Sequence, residues 1–244
     1  AAACPLSLLT TPPKMPADMR LQLISLLSLI AVASTGEALP PDTAADVTIH
    51  IDGREYPKWL QHHGKKQLLT GGGTRYKYGF AKVYALGLYI DEHAISGPLA
   101  AWVGTSDKAL AEDASFAQAL ITGTFDKTLA LQFHRSVDGA TVAGAIKDSL
   151  SSRLDAAIVA SFHAALNKAL VAGTHVGTKL YFLCKSDGLH IAVATTEIVA
   201  SVTEPSVCNA LFEVYYGSSP VAPAAKDGMI KGFAKLTMPQ HDEL

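Results

Sequence analysis

From Val142 to Leu170 an apolar residue recurs at every fourth position: Val142, Ile146, Leu150, Leu154, Ile158, Phe162, Leu166 and Leu170. That spacing follows the 3.6-residue helical period, so the ridge must be buried against something. Asp138 is a natural N-cap for it, and Asp155 divides it into two consecutive helices. The flanking segments carry the other period. "VTIHID" (47–52) alternates and ends in an Asp52-Gly53 turn. "KQLLTGGGTRYKYGFAKVYALGLYID" (66–91) reads as extended chain broken at Gly71–Gly73 and at Gly79. "DKTLALQFHRSV" (126–137) is a strand with Leu129, Leu131 and Phe133 on one face. "TKLYFLC" (178–184) and "LHIAVA" (189–194) are joined by "KSDG", whose Asp187-Gly188 suits a hairpin, and "TTEIVASV" (195–202) adds a third strand. In "EPSVCNALFEVYYG" (204–217), Pro205 opens a helix and Gly217 follows its end, with Val207, Leu211, Val214 and Tyr215 on the buried face. A last helix spans Pro223 to Leu236. The order strands, helices, strands, helices predicts an α+β domain, an antiparallel sheet covered on one side by helices.

A chain of 244 residues with 49% hydrophobic and 17% charged residues has ample material for one such core. Its net charge of −2 and the lack of a basic stripe argue against nucleic acid as a partner. No cofactor or metal is expected. His62-His63 would point apart on a strand with no third ligand at useful spacing, and reads as a solvated loop pair. Gly71–Gly73 lacks a phosphate-binding pattern and is expected to let the backbone bulge beside Arg75. Of His134-Arg135, at the strand-helix junction, one is a candidate for the mouth of a cleft.

Both ends read as addresses. Met15 and Met19 precede Arg20 and the apolar stretch Leu21–Ala33, which closes on Ala31-x-Ala33. This matches a secretory signal peptide cleaved after Ala33, and it is too short to span a bilayer. The residues before Met15 read as a truncated gene model or as upstream read-through. The last four residues, His241, Asp242, Glu243 and Leu244, spell the tetrapeptide bound by the retrieval receptor of the endoplasmic reticulum. The expected organisation is a leader (1–33), one domain (34–240) and a retention signal (241–244), in the lumen of that compartment. Cys184 and Cys208 are expected as buried free thiols; the lumen permits a disulfide, but spacing alone does not pair them.

The stretch "TRYKYGFAKVYALGLYI" (74–90) threads four tyrosines, an arginine and two lysines through a strand pattern. A two-residue turn at Gly79-Phe80 would set Tyr78 opposite Ala81, Tyr76 opposite Val83, Lys77 opposite Lys82 and Arg75 opposite Tyr84. A guanidinium fork and a phenol would then converge as carboxylate donors. On spacing alone, an arginine held by a neighbouring carboxylate among ordinary strand tyrosines is the commoner arrangement.

Four segments together resemble the chalcone isomerase-like superfamily over residues 65–236. They are "LTGGGTRYKYGFAKVYALGLYID" (69–91), "AAWVG" (100–104), "FDKTLALQFHRSVDG" (125–139) and "ALFEVYYGSSPVAP" (210–223), in the family's order and spacing. The resemblance implies an open-faced β-sandwich with a cleft between sheet and helical layer. Of the catalytic set in true chalcone isomerases, only the arginine carries over, as Arg75. The strand threonine falls on Tyr84, the helix tyrosine on Val142, the asparagine on Ser149 and the last hydroxyl near Val214. Losing these donors argues against flavanone-forming ring closure. An arginine with a tyrosine on the next strand is instead similar to the family's fatty-acid-binding branch, where the pair holds a carboxylate. The expected ligand set is thus Arg75, Tyr84 and Ser149, with Leu86, Leu88, Leu131, Phe133, Val142 and Ile146 taking an acyl chain at about 0.8 kcal/mol per methylene. The alternatives are an intramolecular lyase on a flavonoid- or polyketide-like substrate, and a ligand-free helper of a biosynthetic enzyme.

Overall fold

The computed structural model describes residues 48–239 apart from 63 and 196, so the expected leader and the terminal HDEL lie outside the described residues. Strands β1 (Thr48–Ile51) and β2 (Arg54–Pro57) form a hairpin turning on Asp52 and Gly53, both at positive φ. Strands β3 (Trp59–His62), β4 (Lys65–Lys77), β5 (Ala81–Asp91), β6 (Lys127–Phe133), β7 (Lys179–Lys185), β8 (Gly188–Val193) and β9 (Ile198–Val202) build a seven-stranded antiparallel sheet in chain order. Helices α1 (Glu92–Ser96), α2 (Asp107–Glu112) and α3 (Ala114–Thr122) lie between β5 and β6, a segment to which the sequence reading assigned no element. The ridge becomes α4 (Gly139–Leu150) and α5 (Ala156–Ala169), and α6 (Pro205–Tyr216) and α7 (Pro223–Thr237) close the fold.

The two-residue period sorts the strand side chains between two cores. Tyr84, Leu86, Leu88, Leu129, Leu131, Phe133, Leu180 and Phe182 meet Val142, Ile146, Leu150, Phe162 and Leu166 of the helical layer. Their alternates Ala85, Tyr89, Ala130, Tyr181 and Leu183 turn the other way and meet Ile51, Tyr56 and Leu60. The middle strands are therefore buried on both faces, which is why they read as near-continuous apolar runs. Asp138 caps α4 by accepting from the Thr141 amide at 2.8 Å. Asp155 stands at the N-cap of α5, as expected, although its side chain makes no capping bond.

Helix α7 lies directly on β4. A Cβ added at Gly232 would come 1.4 Å from the Thr70 carbonyl oxygen, and one at Gly228 1.9 Å from that of Gly72. The glycine run of β4 serves this backbone-to-backbone approach. One bulge falls at Thr70, between the pairs Leu69↔Tyr89 and Gly71↔Leu88; a second irregularity lies between Arg75 and Tyr76, beside Arg75 as expected but beyond the glycine run. Between α3 and β6, the buried ammonium of Lys127 donates to the carbonyls of Leu120, Ile121 and Gly123 and sits 4.5 Å from the Phe212 ring centroid. It closes the C-terminus of α3, a role its strand position did not reveal.

Two expectations are corrected. Cys184 and Cys208 form a disulfide, with Cα atoms 5.7 Å apart. The end of β7 and the second turn of α6 are brought together because Cys184 faces the helical layer, and only the chain's return through β8 and β9 reveals that. His62 is no loop residue but sits in β3, buried at 2% exposure.

Two measurements check this packing. Replacing both cysteines by alanine should cost about 3 kcal/mol, or roughly 6–12 °C in melting temperature. Dithiothreitol should lower the wild-type midpoint similarly and leave the double variant unmoved. Gly232→Ala should destabilise by about 2–3 kcal/mol through overpacking, whereas Gly144→Ala, in α4 with nothing within 4 Å of the added carbon, should stabilise by about 0.5–1 kcal/mol. Equal denaturant midpoints for these two variants would contradict the proposed contact.

Candidate functional site

Arg75 and Tyr84 are directly opposed, as expected, but by another route. The hairpin loop has three residues, Tyr78 to Phe80, with positive φ at Tyr78 and Gly79. It pairs Lys77 with Ala81 and Tyr76 with Lys82, and a bulge at Val83 restores the register at Arg75↔Tyr84. The turn differs by one residue from the two-residue reading, and the bulge cancels the difference. It also relieves the Lys77-Lys82 apposition which that reading required.

Between this hairpin, the end of β6 and the first turns of α4 lies a cavity of about 220 Å³. Its apolar wall includes Val83, Phe133, Val137, Val142 and Ile146. Arg75, Lys77 and Arg135 also line it, and no carboxylate does. Lys77 and Arg135 are exposed, whereas Arg75 is half-buried and its Nε is shielded from solvent without a hydrogen-bond partner. A buried guanidinium N–H left unmatched carries a desolvation cost that an anionic acceptor would relieve.

Beneath it lie two phenols. The Arg75 guanidinium carbon is 5.6 Å from the Tyr84 ring centroid. The Tyr84 hydroxyl meets that of Tyr215, on α6, at 2.8 Å, and the Tyr84 ring stands edge-on to Phe133. Burial raises the pKa of both tyrosines, opposed by the charge of Arg75, so both phenols stay neutral. Tyr84 thus supports the arginine from below while its hydroxyl is engaged by Tyr215. Sequence reasoning placed Tyr215 on a buried helix face and missed this link; the only signal was the unassigned hydroxyl expected near Val214.

Of the expected ligand set, Arg75, Tyr84, Phe133, Val142 and Ile146 line the cavity. Leu86, Leu88 and Leu131 are fully buried deeper in the core, at 0%, 1% and 0% exposure, and belong to its packing. Ser149 turns away and donates to the Ala145 carbonyl at 3.0 Å. Arg135 lines the cavity as foreseen for one of the strand-end pair, together with Lys77, Tyr78 and Thr141, which were not foreseen. Among the described residues no group of three or more His, Cys, Asp or Glu side chains could hold a metal ion.

An antiparallel sheet with a helical layer on one face and a cleft between them is a fold of the open-faced sandwich type. The profile of the chalcone-flavanone isomerase family matches residues 52–236, and the chain belongs to that family. Chalcone–flavanone isomerase 2 of Arabidopsis thaliana is 23% identical over 77% of this chain and 88% of its own length. The chalcone–flavanone isomerase of Hordeum vulgare is 28% identical over 77% and 89%. Among solved structures, a crystal structure of an Arabidopsis thaliana fatty-acid binding protein superposes with a TM-score of 0.66 at 18% identity, covering 78% of this chain and 99% of that one.

On the opposite sheet face a polar clamp holds the hairpin that carries Arg75. Asp52 accepts from Thr74 Oγ1 and from Lys82 Nζ, both at 2.6 Å. Arg54 Nε donates to His134 Nδ1 at 3.3 Å, which requires that nitrogen to be unprotonated. Burial lowers the His134 pKa, Arg54 adds to this, and Asp52 works the other way. An unfolded histidine takes up its proton near pH 6.5, whereas the folded one resists until lower pH. Stability contributed by this group is therefore complete above about pH 6.5 and declines as pH falls through the depressed folded value. In His134→Asn, which keeps an acceptor but does not titrate, the fall in unfolding free energy between about pH 6.5 and 5 should be shallower than in wild type. Identical slopes by urea titration would remove the assignment.

Proposed function

We propose that this protein binds an amphiphilic carboxylate of the fatty-acid class, without catalysis, with its head group on Arg75. The observation that carries the reading is the buried, unpartnered Arg75 Nε at the floor of a cavity lined by cations and apolar side chains but no carboxylate. Phe133, Val137, Val142 and Ile146 offer the apolar body of such a ligand a continuous wall. At about 220 Å³ the cavity is smaller than the 300–1,000 Å³ usual for drug-sized ligands. That size favours a short or medium chain, or a longer one that emerges between hairpin and α4. The fold shared with a fatty-acid binding protein supports the same reading.

Membership of the isomerase family and retention of Arg75 favour one second reading, an intramolecular lyase on a flavonoid-like substrate. Against it stand valine at 142 and a Tyr84 hydroxyl already bonded to Tyr215, where ring closure needs free donors for the developing oxyanion. For the compartment, the leader-like stretch, the terminal HDEL and the Cys184–Cys208 disulfide all support the oxidising lumen of the endoplasmic reticulum, with the retrieval receptor as partner.

Titration with a series of saturated fatty acids, read by native mass spectrometry, tests the proposal. Arg75→Met keeps the stem and removes the charge. It should weaken binding about tenfold to a hundredfold, the equivalent of one lost charge-assisted bond of about 1.5–3 kcal/mol. It should leave binding of the matching fatty alcohol unchanged. Equal affinity of wild type and variant for the acid, or Arg75-dependent turnover of naringenin chalcone, would overturn the reading.

A further inference from the structure

The cavity opens beside an exposed aromatic hairpin tip. Phe80 is 79% exposed, Tyr78 78% and Tyr76 42%, all within the β4–β5 loop and its flanks. In the loop after α5, Val171 and Val176 are 89% and 60% exposed. Val137, which lines the cavity, is tied to that second loop by reciprocal backbone bonds with Thr174, at 3.1 and 2.8 Å. Both apolar projections therefore flank one end of the sheet, the end where Tyr78 and Lys77 form part of the cavity wall. Tyr78 also holds a positive φ of 57°, uncommon for a bulky residue, and the contact its ring makes is with Lys77 Nζ at 5.2 Å.

The charge around these side chains is net positive. Lys77 and Arg135 are exposed and, among the described residues, enter no ion pair. Of the nearby acids, Asp52 is offset by Lys82, while Asp138 remains an exposed carboxylate held by the Thr141 amide and hydroxyl, a single negative charge beside the second loop. Exposed aromatics ringed by free cations match a bilayer interface, where amphipathic rings sit at head-group level and lysine or arginine meets anionic lipid. A protein partner would be expected to present a shaped surface, but two separate projections on either side of a cavity mouth suit a flat, deformable one.

We infer that the β4–β5 tip and the 171–176 loop form a docking surface for an anionic lipid bilayer, which holds the mouth of the cavity against the membrane. The docking stands on this surface alone; that a docked molecule exchanges its ligand with the bilayer rests on the function proposed above. No described helix is long and apolar enough to cross a membrane, so the association is peripheral.

The test is co-sedimentation of the whole protein with vesicles of phosphatidylcholine, with and without phosphatidylserine at about one lipid in three, chosen for a strong surface charge. Wild type should pellet with the anionic vesicles, release as salt is raised, and stay in solution with the neutral ones. Phe80 lies outside the cavity wall, so Phe80→Ser should weaken vesicle binding at least fivefold while its melting temperature stays that of wild type. In Phe80→Trp the indole emission should shift to shorter wavelength on adding anionic vesicles. Wild type that never pellets, or Phe80→Ser that pellets equally, overturns the inference. So does a concentration-dependent dimer that Phe80→Ser dissolves, because the patch then belongs to a second copy. Fatty-acid affinity is measured separately in vesicle-free solution, so either reading can fail while the other stands.

Discussion

The contact between the backbones of β4 and α7 determines where everything else can go. With hydrogen in place of side chains at Gly228 and Gly232, the helix settles onto the carbonyls of Thr70 and Gly72. Any larger residue would lift it by more than an ångström. This closeness keeps α7 on β4 as far as Gly73, which lies under Ala224. Arg75 emerges two residues further on, facing α4 across the cavity. The cavity is thus the space left where α7 ends its coverage and α4 has yet to close on the sheet.

Within that space the chemistry is narrow. Two neutral phenols bonded to each other, a guanidinium above them and an apolar wall offer positive charge beside hydrocarbon, and no carboxylate or histidine is among the lining residues. A site that catalyses proton transfer needs a group that titrates near working pH. Burial pushes Tyr84 and Tyr215 away from that range. On the function proposed above, that arrangement serves an anion at one end and hydrocarbon along the side.

Much of the fold was legible because periodicity is a local property. The four-residue ridge, the Asp-Gly turns, and Pro205 and Gly217 at the two ends of α6 each report on a few neighbouring residues, and each falls where expected. The opposition of Arg75 and Tyr84 was legible for a weaker reason: a longer loop and a compensating bulge cancelled. Depth was not legible. Leu86 and Leu131 share a face with Tyr84 and Phe133, but only the latter pair reaches the cavity, because the distance between sheet and α4 changes along the strands. The Cys184–Cys208 link and the Tyr84–Tyr215 bond failed for a related reason. Both join β-strands to α6, and no local pattern specifies where a helix lands after two further strands.

The density of cations and aromatics in residues 74–84 then resolves into separate tasks assigned by the pleat. Alternation sends Arg75 and Lys77 to the cavity side, while Thr74 and Lys82 go to the opposite face, where both bond Asp52. The outer bonds brace the inner ones, because a slip of one residue would exchange the faces and put Thr74 where Arg75 must stand. At the turn the pleat ends and no face remains, so Tyr78 and Phe80 project beyond both cores. Their exposure follows from geometry, but their apolar character does not, since a serine or asparagine would serve a tight turn better. Aromatic residues standing so exposed at this turn are what the docking surface inferred above rests on, and Lys77 and Arg135 beside them give that surface its sign.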